Sequence, residues 1–361
     1  MSKIRPSLKK IKPYIAGKNI EEVDSEVAPS SIIKLASNEN PFGPSPKAAS
    51  AIKQEAKNAH VYPSQHNLAL KEALAKKLKL SVENISIGNG SDEIMQFAAA
   101  AFLNSGEEVL IAENTFSTYE FCAHLFDASP VFIPLKNSKY DLERFSQHVT
   151  SQTKLVFLCN PNNPTGTYFT HEELENFLSG LPNNVIVIID EAYGEFVEAK
   201  DFPRSIEFVK KALPVIILRT FSKLFGLAGL RLGYGISTPE IARYLNMVKM
   251  PFNVNRLAQA AGLAALSDER FIQKSLKNNS AQKKILSHAL NKMGIEHLKS
   301  EANFICLNLK QKADEVFLKL LRKGIIVRPL TSFGLPQHIR VTIGKPGENK
   351  KFIKGLSCLK N

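Results

Sequence analysis

Short runs rich in β-branched residues alternate with helical patterns from about residue 85 to residue 240. The runs cover 85–87, 108–112, 130–133, 155–158, 185–189 and 215–218, and each gives way to a turn or a polar segment. This rhythm predicts an α/β domain with a mainly parallel sheet. In open sheets of this kind functional groups gather at the carboxyl ends of the strands. The residues just after each run are therefore where chemistry is expected.

Around Met250-Pro251-Phe252-Asn253 the pattern changes. An alanine-rich helix over 257–266 and a long helix with polar faces over 271–292 are followed by a strand-like 304–307, a helix over 313–323, and strands near 325–327 and 339–343. That is the reading of a smaller α+β domain. The first 40 residues are irregular and punctuated by proline, as an arm laid over the domains would be. The expected organisation is an arm over 1–40, a large α/β domain over 41–250 and a small α+β domain over 251–361.

Composition narrows the function. Hydrophobic content of 44% and charged content of 22% are those of a globular protein. The longest clean apolar stretches are strand-sized, and residues 1–13 lack the apolar core of a signal peptide, so a cytoplasmic protein without membrane contact is expected. Cys122, Cys159, Cys306 and Cys358 are widely spaced without a C-x-x-C pair, which argues against a metal site and against a disulfide framework. The net charge of +13 rests on 47 lysines and arginines scattered along the chain, with no helix-turn-helix, RNP or zinc-finger pattern. A solvated basic surface suited to small anionic ligands is expected, and no nucleic acid.

Three segments carry candidate chemistry. The run 215–218 leads into Thr220-Phe221-Ser222-Lys223-Leu224-Phe225-Gly226, with Arg231 eight positions beyond the lysine. A desolvated lysine sheds its proton and becomes a nucleophilic amine able to form a Schiff base, and Ser222 and Arg231 would flank an anion. A surface lysine in an ordinary turn is the alternative. Cys159-Asn160-Pro161-Asn162-Asn163-Pro164-Thr165-Gly166 follows a strand, and its prolines fix a backbone that projects asparagines. Asn163 could donate to a phenolate-like oxygen, although a rigid turn would read the same way. The run 185–189 delivers Asp190-Glu191-Ala192-Tyr193. Asp190 suits a pyridinium nitrogen and Tyr193 a ring hydroxyl; a metal aspartate or a helix cap are the alternatives, and no phosphate-loop motif supports an NTPase.

The segment Gly88-Asn89-Gly90-Ser91-Asp92-Glu93 leaves a strand and enters a helical run, but glutamate at 93 breaks a dinucleotide fingerprint. What remains is a glycine loop opening a helix, whose first N–H groups, at Ser91 and Asp92, favour phosphate.

Taken in order along nearly the whole chain, these motifs resemble the fold-type I pyridoxal-phosphate aminotransferases, specifically the histidinol-phosphate aminotransferase family. The resemblance includes Ser37-Asn38-Glu39-Asn40-Pro41, Val61-Tyr62-Pro63, the glycine-serine-aspartate helix entry, the proline-asparagine loop, Asp190-Glu191-Ala192-Tyr193 and the lysine segment. It continues through Pro251-Phe252-Asn253-Val254-Asn255 and Ala302-Asn303-Phe304, and closes with His338-Ile339-Arg340-Val341-Thr342.

The resemblance implies pyridoxal 5'-phosphate as cofactor, with Lys223 as its covalent partner and proton shuttle. Asp190 would hold the pyridine nitrogen, Tyr193 and Asn163 the ring oxygen, and Ser222, Arg231, Ser91 and Asp92 the phosphate. Phe116 would stack on the ring; the family frequently has tyrosine there, so a phenol hydrogen bond is lost while stacking remains. Tyr62 would reach the other subunit's site in a homodimer. Tyr14, Asn38, Arg328 and Arg340 would bind substrate, Arg340 as the fork for an α-carboxylate and Arg328 for a phosphate.

The implied reaction converts L-histidinol phosphate and 2-oxoglutarate to imidazole-acetol phosphate and L-glutamate. An aromatic amino-acid aminotransferase, a threonine-phosphate-type decarboxylase and a non-catalytic descendant are the competing expectations.

Overall fold

The computed structural model describes residues 4–11, 13, 15, 17–22 and 32–359. Among these, a first short strand, β1 (Ile33–Lys34), precedes a seven-stranded sheet. That sheet comprises β2 (Ile85–Gly88), β3 (Glu108–Ala112), β4 (Ser129–Ile133), β5 (Thr153–Cys159), β6 (Ile186–Asp190), β7 (Val215–Thr220) and β8 (Gly233–Ile236), in the order β2-β8-β7-β6-β5-β3-β4. Strands β4, β3, β5, β6 and β7 run parallel, whereas β8 is antiparallel to both β7 and β2. Every residue of β6 is buried, as a central strand covered by helices on both faces requires.

Strand β8 has no clear signature in the sequence, because Gly233-Tyr234-Gly235-Ile236 lacks a β-branched run. Its glycines serve contact rather than propensity. A Cβ on Gly233 would lie 2.3 Å from the Ser91 nitrogen, so only glycine lets the first turn of the helix Ser91–Phe102 approach the sheet this closely.

The remaining strands are β9 (Glu296–His297), β10 (Phe304–Asn308), β11 (Ile325–Ile326), β12 (Arg328–Pro329) and β13 (His338–Thr342). Four of them form an antiparallel sheet in the order β12-β13-β10-β9, while β11 pairs in parallel with β1. The end of the amino-terminal arm is thus hydrogen-bonded to the carboxyl-terminal part of the chain.

Alternation decides which side chains of the smaller sheet face the larger one. Ile305, Leu307, Ile339 and Val341 point into a core with Leu286, Leu290 and Phe352. At about 1.5–3 kcal/mol for each fully buried aliphatic side chain, that core fixes the register of β10 and β13. The period of two then places Arg340 and Thr342 on the opposite face, and Phe304 joins the core of the large sheet.

Helix starts follow local signals. Ser45 accepts from the Ala48 N–H ahead of Pro46–Glu55, and Asn255 accepts from the Ala258 N–H ahead of Arg256–Leu266. The long helix Glu269–Lys292 is capped by Asp268 and contributes Ile272 to the large core and Leu286 to the small one.

Candidate active site

A cavity of about 230 Å³ lies where the carboxyl ends of the large sheet meet the smaller sheet. It gathers Asn38, Ser91, Asp92, Phe116, Asn163, Asp190, Tyr193, Ser222, Lys223, Arg231, Arg328 and Arg340, residues separated by up to three hundred positions in sequence. A larger open hollow of about 590 Å³, lined by Lys136, Tyr140 and Glu173, contains none of them.

Asp190 is the last residue of β6, in register with Cys159 of β5 and Leu218 of β7. Its Oδ2 accepts from the Tyr119 hydroxyl at 2.7 Å and its Oδ1 from the Ala192 N–H at 3.0 Å. Burial raises its pKa to about 6, opposed by those two donors. Glu191, the next residue, is buried against Arg219, which donates to it at 2.8 Å and 3.0 Å. Successive acids therefore serve different sides of the strand end: one lines the cavity, and the other is neutralised in an ion pair.

Lys223 sits in the loop after β7, its Nζ 3.2 Å from the Ser37 carbonyl and 5.7 Å from the centre of the Tyr193 ring. Burial first, and then the charge of Arg340, lower its pKa to about 8. The Tyr193 hydroxyl accepts from Asn38 Nδ2 at 2.9 Å. Asn38 itself has φ of +55° and is tied to the smaller sheet, its N–H donating to Thr342 Oγ1 at 2.9 Å.

The proline-asparagine loop has cis peptides at Asn160-Pro161 and Asn163-Pro164. Asn162 accepts from Thr115 at 2.8 Å, and Asn163 accepts through Oδ1 from Arg340 Nη1. The amide that sequence alone aims at a ring oxygen therefore also carries the arginine.

At the other end of the cavity, Arg231 has φ of +53°, an uncommon conformation for a side-chain-bearing residue. Its guanidinium donates to Asp92 Oδ2 at 3.0 Å, Ser222 Oγ at 3.4 Å and the Ala228 carbonyl at 3.2 Å. It packs so tightly on Gly90 that a Cβ there would lie 2.5 Å from Nη2. Guanidinium, serine hydroxyl and the first turn of a twelve-residue helix converge at this end.

Arg328 and Arg340 are partners in the antiparallel register of β12 and β13, so both side chains emerge on one face, and both are buried. Arg340 Nη2 donates to the Ala36 carbonyl at 2.8 Å, and its guanidinium lies 5.3 Å from the centre of the Phe304 ring. Arg328 donates to the Ile15 carbonyl and to Ser332 Oγ at 3.3 Å.

One predicted site residue among those described is not in this cavity. Tyr62 is 76% exposed, stacked on Phe252 with ring centres 4.8 Å apart in a separate surface hollow. Tyr14 lies outside the described residues. Conversely, Glu39, Cys159 and Thr220 line the cavity, and Tyr119 lies behind Asp190. Glu39 was visible beside Asn38; nothing in the sequence singles out Tyr119.

The family described as aminotransferase class I and II matches residues 30–356. The chain belongs to that family. It is 46% identical over 355 residues to histidinol-phosphate aminotransferase of Moorella thermoacetica, covering 98% of this chain and 92% of that one. It is 44% identical to histidinol-phosphate aminotransferase 1 of Nitrosococcus oceani, covering 96% and 94%. A crystal structure of histidinol-phosphate aminotransferase from Sinorhizobium meliloti, in complex with pyridoxal-5'-phosphate, superposes with a TM-score of 0.89 at 26% identity over 99% of both chains. This aminotransferase fold is the expected fold-type I architecture.

Proposed function

We propose that this aminotransferase uses pyridoxal phosphate to move the amino group of L-histidinol phosphate to 2-oxoglutarate, giving imidazole-acetol phosphate and L-glutamate. The observation that carries the reading is the meeting, in one cavity, of a desolvated lysine, a buried aspartate and two arginines in register.

The chain's groups fit the cofactor at each end. The cradle of Gly90, Ser91, Ser222 and Arg231 suits its phosphate, and the fixed carboxylate of Asp190 suits a protonated ring nitrogen. The same cavity holds Lys223, and Tyr193 and Asn163, which would meet the ring oxygen. Pyridoxal phosphate supplies an aldehyde for an amine and a ring that accepts electrons from the substrate carbon.

This chain's residues do the rest. Lys223 Nζ, its pKa lowered to about 8, holds roughly a tenth of its amine unprotonated at neutral pH, far more than an ordinary lysine, and in that form takes the proton from the substrate Cα. Asp190 holds a proton on the ring nitrogen, and Phe116 orients the ring by stacking. Asp92 keeps the guanidinium of Arg231 aimed at the phosphate end. Arg340 forks the α-carboxylate, Arg328, with Tyr14, serves the substrate's distal anion, and Asn38 lines the substrate side of the cavity.

A single pocket must accept a phosphate in one half-reaction and a second carboxylate in the other. An arginine held by a main-chain carbonyl and a serine hydroxyl, as Arg328 is, can exchange those acceptors for either anion.

The active unit in this reading is a homodimer in which Tyr62 reaches the partner's phosphate. Val61, Tyr62 and Phe252 share an exposed apolar hollow, which supports burial against a second copy. The protein works in the cytoplasm; among the described residues no helix is long and apolar enough to cross a membrane. The chain divides into an arm over 1–40 and domains over 41–250 and 251–361, a division supported by the separate seven-stranded and four-stranded sheets.

Glutamate formation from 2-oxoglutarate tests the assignment, with L-histidinol phosphate and L-phenylalanine compared as donors. Faster turnover with histidinol phosphate is expected. Faster turnover with phenylalanine would move the assignment to the aromatic enzymes, and carbon dioxide release without glutamate would make it a decarboxylase.

A further inference from the structure

We infer that Tyr119 is the positioning residue of this site: its hydroxyl fixes the carboxylate of Asp190, and its ring sets the plane of Phe116. Tyr119 lies in the helix Thr118–Leu125 and is completely buried. Its ring stacks on Phe157 with centres 4.7 Å apart and planes 11° apart, and meets Phe116 edge-on at 5.7 Å and 85°. One side chain thereby touches both the residue assigned to the ring nitrogen and the residue assigned to the ring face.

The hydroxyl is what calls for an explanation. Packed between Phe116 and Phe157, a phenylalanine would fill the same space without placing a polar group in the core. The group is tolerated because it donates to Asp190 Oδ2 at 2.7 Å, while the Ala192 N–H holds Oδ1 at 3.0 Å. With a main-chain donor on one oxygen and a stacked phenol on the other, the carboxylate has one orientation. Lys223 and Asp92 are the charged groups acting on Asp190. Tyr119, Tyr140 and Cys159 stay neutral, their pKa values raised by burial. Tyr119 thus holds Asp190 as an anion against a burial that favours its protonation.

The inference rests on the assignment of Asp190 to the cofactor's ring nitrogen. Its test uses the full-length holoenzyme, Tyr119→Phe, Asp190→Asn and the double variant, with three readouts. These are pyridoxal phosphate affinity by equilibrium dialysis, the pH titration of the bound cofactor's visible band, and the split of kcat from KM for glutamate.

Tyr119→Phe is expected to weaken cofactor binding about tenfold and to move the titration midpoint by about one pH unit. It should lower kcat with KM unchanged. In the Asp190→Asn background the same change should have no further effect on affinity or midpoint, because the two residues act as one unit. Parent-like affinity and midpoint in Tyr119→Phe would overturn the inference, as would equal losses in both backgrounds. A Tyr119→Phe chain that fails to fold would overturn it too, by making the hydroxyl structural. If the parent binds no cofactor, the functional reading falls with it; if the parent binds and only Tyr119→Phe is unaffected, the inference alone falls.

Discussion

The two walls of the cavity are held in different ways. On the large-sheet side, Asp190 and Ser222 are fixed by neighbours from the same sheet and its helices: a phenol and a main-chain N–H for Asp190, a guanidinium for Ser222. On the small-sheet side, the hydrogen bonds of Arg328 and Arg340 include the Ile15 and Ala36 carbonyls of the amino-terminal segment. The first wall is preorganised for one ligand that stays. The second presents cations whose acceptors a ligand anion can replace, as a site that takes two substrates in turn requires. The two are coupled where Arg340 meets Asn163 and where Asn38, tied to Thr342, donates to Tyr193, each a substrate-side residue against one assigned to the cofactor.

That contrast predicts losses of different kinds. Lys223→Ala should abolish amino transfer, by at least about a thousandfold in kcat, since it removes both nucleophile and base. A residual rate above that, measured by glutamate release, would break the assignment. Arg340→Ala should act on binding instead, raising KM for glutamate about a hundredfold, because the charge-assisted fork is worth about 2–3 kcal/mol. Arg328→Ala should raise KM for histidinol phosphate about tenfold with a smaller change in kcat, and equal losses in kcat would erase the distinction between the walls.

A smaller effect concerns pH. The amine of Lys223 is held down to about 8 by burial and by Arg340, so the rate of pyridoxal phosphate uptake by the apoprotein should rise with pH and level off above that value. In Arg340→Ala the midpoint should move upward, because a repelling cation is gone. A midpoint near an ordinary lysine value in the parent would contradict the burial. Smallest of all, Phe116→Tyr should keep cofactor affinity within about threefold, as stacking is retained and only a peripheral hydroxyl is added.

Much of the large-sheet wall was legible in the sequence. An apolar run ending in Asp190 and another leading into the loop of Lys223 place both residues at or just beyond strand ends, and strand ends of a parallel sheet converge. The smaller sheet was legible as elements, but the consequence of its register was not. Nothing local reveals that Arg328 faces Arg340, because that pairing depends on two short strands meeting across a loop. Strand β8 is not legible in the sequence because its glycines answer to a helix packed above them rather than to strand propensity. Tyr119 was hidden for a similar reason: its role arises from a bond to a residue 71 positions away. Strand ends are readable locally, and side-chain partners such as Tyr119 for Asp190 or Arg328 for Arg340 follow from packing in space.

The most direct test is the visible absorption spectrum of the purified protein with pyridoxal phosphate, before and after L-histidinol phosphate and again after 2-oxoglutarate. A band present in the parent, lost on the first addition, restored by the second and absent from Lys223→Ala is the predicted result. A protein that acquires no such band, or whose band histidinol phosphate leaves untouched, would contradict the account.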